Sequence, residues 1–135
     1  MNDRYLYRAK RKNWRELPKE MWWVQGYLYG IWERRYILWG MTNDVPDMIE
    51  IDPSTICQCT GLKDKNGKLI FENDIVFVKH TDGQEEYQEN AKVSYTKRGF
   101  SPFSWEYYCD GCDVRCEILE VEVIGNIFDN PELLE

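Results

Sequence analysis

The clearest alternation of apolar and polar positions lies near the end of the chain. Leu119, Val121 and Val123 alternate with Glu120 and Glu122. A period of two is typical of an antiparallel strand that has one face on a core and the other in water. The pattern therefore predicts a strand with its three aliphatic side chains on the buried face.

The middle third of the chain, residues 57–79, combines apolar segments with residues that favour chain reversal. The fully apolar run at residues 75–78 predicts a strand covered on both faces, and residues 68–71 predict a shorter strand before it. Reversals are predicted where residues that tolerate a positive φ, or that cap nearby amides, occur together. These residues are Gly61, Asp64, Asn66, Gly67, Asn73, Asp74, Gly125 and Asn126.

Residues 21–32 are nearly all aromatic or aliphatic, interrupted by Gly26 and Gly30. Glycine disfavours a helix, so we predict two aromatic strands bent at the glycines, continuing at residues 36–39 after a turn at residues 33–35. Further predicted elements are strands at residues 5–9, 48–51 and 91–96, a turn or exposed loop at residues 10–20, and a single turn at residues 131–134. Residues 80–90 predict either a solvated loop or a long hairpin tip, with a turn at Asp82 and Gly83. Residues 97–108 give no prediction.

These elements predict a mostly β protein. We expect an antiparallel, strongly bent sheet that closes into a small barrel, within one domain because the chain has 135 residues. Aromatic residues make up 15% of the chain, which suits half-buried strands. Strands at sheet edges make self-association a further expectation.

The net charge is −7 and is unevenly distributed. Residues 1–20 hold seven basic and three acidic residues, a net of +4, which leaves −11 on the remainder. No apolar run of about 18 residues is present and the N-terminus is charged, so no membrane association is expected and we predict a cytoplasmic protein. Five cysteines are an odd number, and without a secretory signal they are expected to be reduced.

The cysteines are candidate zinc ligands. Cys109 and Cys112 have the C-x-x-C spacing that points two thiolates at one metal, Cys116 follows, and Cys57 and Cys59 lie on one face of a predicted strand. The alternative is that these are buried thiols, because cysteine is among the most buried residue types. No matching second C-x-x-C pair exists, so we favour buried thiols and expect no cofactor.

The basic N-terminal segment is a candidate nucleic-acid site. Cations beside tryptophans are the components of a platform on which single-stranded bases stack. The candidate residues are Arg8, Lys10, Arg11, Lys12 and Trp14, with Trp22 and Trp23 nearby. The alternative, which we favour, is that the tryptophans are core residues and the cations a solvated loop, because the acidic remainder of the chain repels polyphosphate.

The sequence does not predict an enzyme. His80 is the only histidine, and we expect it to be a surface residue rather than a catalyst. Asp64 and Asp74 form a conceivable carboxylate pair, but aspartate at a turn usually caps the backbone. No phosphate-binding glycine loop is present, and no nucleophile, base and orienting group can be assembled.

Several phrases of the sequence resemble the YopX family of bacteriophage and prophage proteins. TGLKDKNGK at residues 60–68, followed by IFENDIV at residues 70–76, resembles the family's central "TGLKDKNGKxIYEGDIV". RYLYRAK and WVQGYL, at residues 4–10 and 23–28, resemble its opening strands, and EVIGNIFDNPELL at residues 122–134 matches its closing phrase. The resemblance therefore spans nearly the whole chain.

The resemblance implies a single YopX-like domain over residues 1–135. We expect an aromatic β extension at residues 1–54 and an SH3-like β core at residues 55–135, because ENDIV resembles the "GD-x-V" turn of SH3-like barrels. The family has no established biochemical role. We predict a phage- or prophage-encoded accessory protein in the bacterial cytoplasm that is not an enzyme and that binds another protein, because Trp and Tyr are frequent in interface hot spots.

Two departures from the family phrases are informative. Asn73 replaces the glycine of "EGD", and asparagine is the non-glycine residue that best tolerates a left-handed backbone, so we predict a positive φ at Asn73. Cys57 and Cys59 stand where the family usually has glycine and an aromatic residue. They therefore resemble substitutions in a packed strand more than zinc ligands.

Overall fold

The computed structural model describes residues 5–96, 99–102 and 117–135. Within these ranges the chain is mostly β, every named strand pair is antiparallel, and no α-helix is present. The mostly β, antiparallel prediction is therefore confirmed. No helix in the described ranges is long and apolar enough to cross a membrane.

The chain forms two compact units, residues 1–61 and residues 62–135. The strands of the first unit are β1 (Tyr7–Lys10), β2 (Trp23–Ile31), β3 (Arg34–Thr42), β4 (Val45–Glu50) and β5 (Cys57–Lys63). The boundary falls inside β5, whereas the sequence-based division at residues 54 and 55 precedes that strand. Short 3-10 turns lie at Trp14–Glu16, Lys19–Met21 and Pro53–Thr55.

The sheet of the first unit bends strongly. Its strands lie in the order β4-β3-β2-β1-β5, and Arg11, just after β1, forms a β-bridge with Ile51, just after β4. On either side, Lys12 N donates to Glu50 O and Asp52 N donates to Lys10 O, at 3.1 and 2.9 Å. The chain thus returns to its first strand around a core of Ala9, Val24, Ile37 and Ile51.

The strands of the second unit are β6 (Leu69–Phe71), β7 (Asp74–Thr81), β8 (Glu86–Lys92), β9 (Ser94–Thr96), β10 (Gly99–Ser101) and β11 (Glu117–Asn126), and Pro131–Leu134 form a 3-10 turn. The main sheet has the order β11-β7-β8, and β9 and β10 form a separate two-stranded sheet. Its core contains Ile70, Val76, Val78, Ala91 and Val93. Residues 69–78 are extended, as predicted, with a turn between β6 and β7.

The predicted closed barrel does not form within the described ranges. In the second unit, β7 is the central strand and β8 and β11 are the two edges of its sheet. The other strands, β6, β9 and β10, have three residues each, and in the described ranges none of them pairs with either edge. In the first unit, closure is limited to the bridge between Arg11 and Ile51, so both sheets stay open.

A bulge changes which residues of β11 face the core. The pairing with β7 shifts between Ile118 and Glu120, which leaves Leu119 as the extra residue. Leu119 is exposed, and Ile118, Val121 and Val123 pack against the core. The prediction that Leu119 is buried beside Val121 and Val123 is therefore wrong for Leu119, because the bulge interrupts the period of two.

Residues 80–90 form a long hairpin tip, which was one of the two predictions for this segment; the solvated loop is wrong. β7 extends to Thr81 and β8 begins at Glu86, so the two strands form a hairpin with a short turn containing Gly83. The side chain of Asp82 accepts hydrogen bonds from Gln84 N and Glu85 N, both at 2.8 Å, which stabilises this turn. The polar sequence of this segment is consistent with its position, because β8 is an edge strand whose side chains are largely exposed.

Candidate functional site

Asp64 organises the turn in the central phrase. Its Oδ1 accepts hydrogen bonds from the backbone N–H of Asn66 and Lys68, both at 2.9 Å, and its Oδ2 accepts one from Val123 N at 3.0 Å. Burial alone would raise the pKa of the Asp64 carboxyl group, but these backbone hydrogen bonds together hold the pKa below its ordinary value. Asp64 thus holds a local turn and a distant strand together.

The other residues predicted at turns lie at reversals or strand ends. Asn73 has a φ of 70°, the positive value predicted for it, and Gly61 and Gly67 both have a φ of 81°. Asp74 is fully buried and its Oδ2 accepts a hydrogen bond from Phe71 N at 2.8 Å. Asp64 and Asp74 therefore both accept hydrogen bonds from backbone amides at turns.

The reversal after β11 is held by Asn126. Its Oδ1 accepts hydrogen bonds from Phe128 N and Asp129 N, both at 3.0 Å, while Asn130 Oδ1 accepts one from Asn126 N at 3.3 Å. Gly125 leaves room for this arrangement, because a Cβ there would lie 2.6 Å from Asn130 Oδ1. The Asn130 side chain therefore holds this reversal and does not cap the 3-10 turn that follows.

The two cysteines in the described ranges are buried in β5. Cys57 Sγ donates to Thr55 O at 3.3 Å, and Cys59 Sγ accepts a hydrogen bond from Gly61 N at 3.4 Å. The described ranges contain no group of three or more His, Cys, Asp or Glu side chains placed to hold a metal ion. Cys109, Cys112 and Cys116 lie outside the described residues, so the C-x-x-C half of the zinc hypothesis stays a hypothesis.

His80 is buried, only 5% exposed, so its predicted surface position is wrong. It follows Val76 and Val78 at alternate positions of β7, which places it on the core face of the strand. Its ring stacks on Tyr87, with centroids 5.5 Å apart, and its Nε2 lies 3.9 Å from Glu89 Oε2. His80 is therefore a packed strand residue.

The basic N-terminal segment folds into a cation and tryptophan cluster, which comprises Lys10, Trp14, Trp22 and Trp23. Lys10 pairs with Trp23 across β1 and β2, and the 3-10 turns between these strands bring in Trp14 and Trp22. Lys10 Nζ lies 3.9, 4.4 and 5.4 Å from the ring centroids of Trp14, Trp22 and Trp23. Lys10 is 2% exposed, so its predicted position in a solvated loop is wrong.

The tryptophans of this cluster also use their N–H groups within the protein. Trp14 Nε1 donates to Asp52 Oδ2 at 3.2 Å, and Trp22 Nε1 donates to Leu17 O at 2.8 Å. The two rings meet edge to face, with centroids 4.9 Å apart. Burial raises the pKa of the Asp52 carboxyl group, but hydrogen bonds from Ser54 and Trp14 bring it below its ordinary value.

The other cations that were predicted to bind nucleic acid contact neighbouring residues of the protein. The Arg8 guanidinium lies 4.9 Å from the Trp23 ring centroid, Arg11 Nε donates to Met21 O at 2.8 Å, and Lys12 Nζ lies 2.8 Å from Glu50 Oε2. The structure thus brings Lys10 and Trp14 together, but in contacts that stabilise the fold. These contacts occupy ring faces on which bases would have to stack.

Lys10→Met is expected to lower the free energy of unfolding by about 1–2 kcal/mol, the value of a desolvated cation–π contact. Methionine has a similar length and is apolar, so the change removes mainly the charge. Denaturant unfolding followed by tryptophan fluorescence measures the effect. Lys19→Met is the control, because Lys19 is exposed and its Nζ lies 5.7 Å from the Trp22 centroid. Equal effects of the two substitutions would contradict this account of the cluster.

The hairpin of β2 and β3 presents a strained, exposed tryptophan. Ile31 and Arg34 are the last paired residues, so Trp32 and Glu33 form a two-residue turn. Trp32 has a φ of 55° and is 94% exposed. A positive φ is costly for a bulky residue, and glycine or asparagine is usual at such a position. The predicted turn at residues 33–35 begins one residue earlier, at Trp32.

Neighbouring residues hold this turn in place. Arg35 Nη1 donates hydrogen bonds to the carbonyl oxygens of Trp32 and Arg34, both at 3.0 Å. Gly30, opposite Arg35 in the ladder, leaves room for the guanidinium group, because a Cβ at Gly30 would lie 3.2 Å from Nη1. The hairpin therefore presents Trp32 from an ordered turn.

Two pairs of side chains share one face of the hairpin that ends at Trp32. Tyr29 and Ile31 are exposed, and they pair directly with Tyr36 and Arg34, so these four side chains share one face of the hairpin. We call this set the tip surface, and its residues are Tyr29, Ile31, Trp32, Arg34 and Tyr36. Sequence reasoning missed it because the aromatic run around it was also consistent with a buried strand.

The model of the YopX family, described as YopX protein, matches residues 7–135. The chain belongs to the YopX family. Comparison with curated proteins and with solved structures gave no match. In this YopX-family chain, the phrases that resemble the family contain the turns at Asp64, Asn73 and Asn126, whereas Trp32 lies between two such phrases.

Proposed function

We propose that this YopX-family protein is a phage- or prophage-encoded accessory protein of the bacterial cytoplasm that acts by binding another protein through its tip surface. In this proposal the protein binds its partner without catalysing a reaction and without a cofactor. The single observation that carries the proposal is Trp32, a large apolar side chain that is 94% exposed at a strained backbone position.

The strain at Trp32 supports a role outside the folded chain. A residue held in a sparsely populated φ/ψ region costs about 1–3 kcal/mol, and such residues concentrate at functional sites. Glycine at this position would relieve the strain, and an indole exposed to water contributes little to the core. Trp32 therefore lowers the stability of the isolated protein, which is understandable if its side chain contacts a partner.

The composition of the tip surface favours a protein as the partner. Tryptophan, tyrosine and arginine dominate the hot spots of protein interfaces, and Trp32, Tyr29 and Arg34 lie together at the tip. This end of the hairpin carries Glu33 besides Arg34 and Arg35, and the Arg35 guanidinium is hydrogen-bonded to the carbonyl oxygens of Trp32 and Arg34. A nucleic acid would instead require a predominantly basic surface beside the exposed rings.

The positions of the possible catalytic groups support a role in binding. Asp64 and Asp74 accept hydrogen bonds from backbone amides at turns, and His80 packs on Tyr87. These contacts are those of fold-stabilising residues. The proposal therefore assigns no catalytic step to any of the three.

Trp32→Gly is expected to weaken partner binding strongly while leaving the fold intact. Glycine adopts a positive φ without strain, so the variant should be at least as stable as the wild type. Affinity capture from lysates of the phage-infected or lysogenic host identifies proteins retained by the wild type. Titration of the purified partner should then show at least about a 30-fold weaker affinity for Trp32→Gly, the effect of a hot-spot residue.

Tyr5→Ser is the matched control, because it removes an aromatic ring that is 67% exposed and lies outside the tip surface. It should retain the same proteins as the wild type. Retention of the same proteins by Trp32→Gly, with unchanged affinity, would contradict the proposal.

A further inference from the structure

The second unit contains a shallow groove that none of the roles above uses. Its volume is about 630 Å³, within the range of about 300–1,000 Å³ that is typical of small-molecule sites and larger than one indole ring. Its apolar lining is provided by Leu62, Ile118, Leu119 and Val121. The groove is therefore large enough and apolar enough to receive an aromatic side chain.

The bulge in β11 builds one wall of this groove. Leu119, the extra residue of the bulge, turns away from the core and is exposed, and Leu62 at the groove is exposed as well. Bulges are frequent where a strand re-aims a side chain at a binding site. Two exposed leucines beside a concave surface stabilise the isolated fold little.

The groove also carries charge of both signs. The charged residues that line it are Lys63, Asp64, Lys65, Lys79 and Glu120. Lys65 Nζ lies 3.1 Å from Glu120 Oε1 and 3.4 Å from Glu122 Oε2, so that lysine is engaged within the unit. Residues 62–135 are acidic in total, whereas in this groove three lysines outnumber the two carboxylates of Asp64 and Glu120. We call these three lysines the lysine rim.

We infer that the occupant of this groove is the tip surface of a second copy of the chain. This inference rests on the proposed function, because it identifies the protein partner of Trp32. The indole of one copy would enter between Leu62 and Leu119 of the next. Next to it, Glu33 would face the lysine rim and Arg34 would face Glu120, so the charges on both sides are complementary.

The two contacting surfaces differ, which determines the type of assembly. A tip that binds a groove is a heterologous contact, and repeated heterologous contacts produce rings or open filaments. An open assembly of any length retains one unused tip at one end and one unused groove at the other, unless a ring closes. The contact involves few residues, and small interfaces are typical of weak association. Self-association is therefore expected at high protein concentration.

Sedimentation velocity of the purified full chain, up to about 1 mM, tests the inference. The wild type should form species larger than a dimer as concentration rises. Trp32→Gly, which lacks the anchor, and Leu119→Lys, which places a charge in the groove, should each remain monomeric. An equimolar mixture of the two variants should form a dimer and nothing larger, because the intact tip of one fits the intact groove of the other.

Met41→Gln is the control, because Met41 is exposed and lies outside both the tip surface and the groove. It should associate as the wild type does. If Leu119→Lys does not fold, Leu62→Lys changes the opposite wall of the same groove.

A wild type that stays monomeric, or a mixture of variants that stays monomeric, would overturn the inference. In either case the proposed function stands if Trp32→Gly still loses the partner captured from the host lysate. If Trp32→Gly also retains that partner, the proposed function fails with the inference.

Discussion

Asp64→Ala is expected to lower the free energy of unfolding by about 3–4 kcal/mol, a large part of the total stability of a single domain. The substitution removes one carboxylate that accepts three backbone hydrogen bonds, from Asn66, Lys68 and Val123. Hydrogen bonds to a charged group contribute about 1.5–3 kcal/mol each, and bonds to one group are not additive. Urea denaturation followed by circular dichroism measures the loss.

The long-range bond makes this aspartate different from an ordinary turn residue. Val123 lies in β11, so its N–H joins the central turn to the closing strand, and Lys65 N donates to Val121 O beside it at 3.0 Å. Asp82→Ala is the matched control, because Asp82 also accepts two local backbone hydrogen bonds but lies at an exposed hairpin turn. A similar effect of both substitutions would show that the contact with Val123 adds nothing.

The Asp64 contribution is also expected to depend on pH. Its pKa is lower in the folded state than in the unfolded state, where it is about 3.9. The stability that Asp64 contributes is therefore fully present above about pH 4 and is lost as the pH falls through its folded-state pKa. Unfolding measured between neutral and acidic pH should show the difference between wild type and Asp64→Ala narrowing below about pH 4.

Gly26→Ala is expected to cost about 2–3 kcal/mol, the upper part of the range for overpacking. Gly26 is buried in β2, and a Cβ there would lie 2.3 Å from the carbonyl oxygen of Leu38 and 3.0 Å from Ile37 Cγ2. A backbone oxygen in a hydrogen-bonded sheet cannot move aside as a flexible side chain can. Relief of the clash must therefore separate β2 from β3, and thermal unfolding would report the loss.

Gly40→Ala is the control for this effect. Gly40 lies in β3, where the nearest atom to an added Cβ is Asp47 Oδ2 at 3.7 Å, an ordinary van der Waals distance. Alanine has the same intrinsic effect on strand preference at both sites, so the difference between the variants measures the clash. If the two variants have equal stability, the close approach of Gly26 to β3 has no energetic consequence.

The sequence by itself determined the turns of the central phrase and the β class. Gly67 and Asn73 adopt positive φ, and Asp64 and Asn126 bind amides within four residues along the chain. The positive φ values and these local hydrogen bonds depend only on residues that are close in sequence, so the residue types are sufficient to predict them. The phrases that resemble the family contain these same turns.

The candidate site depended on the tertiary structure, and Lys10 and Trp32 show why. Lys10 was predicted to be solvated and is buried, whereas Trp32 was predicted to end a strand and is an exposed turn residue. The pairing of Lys10 with Trp23, and of Ile31 with Arg34, decides both environments. Strand register depends on the packing of whole strands. The fact that Lys10 is charged and Trp32 aromatic therefore could not show whether each side chain is buried or exposed. The bulge that exposes Leu119 arises from the same register between distant strands.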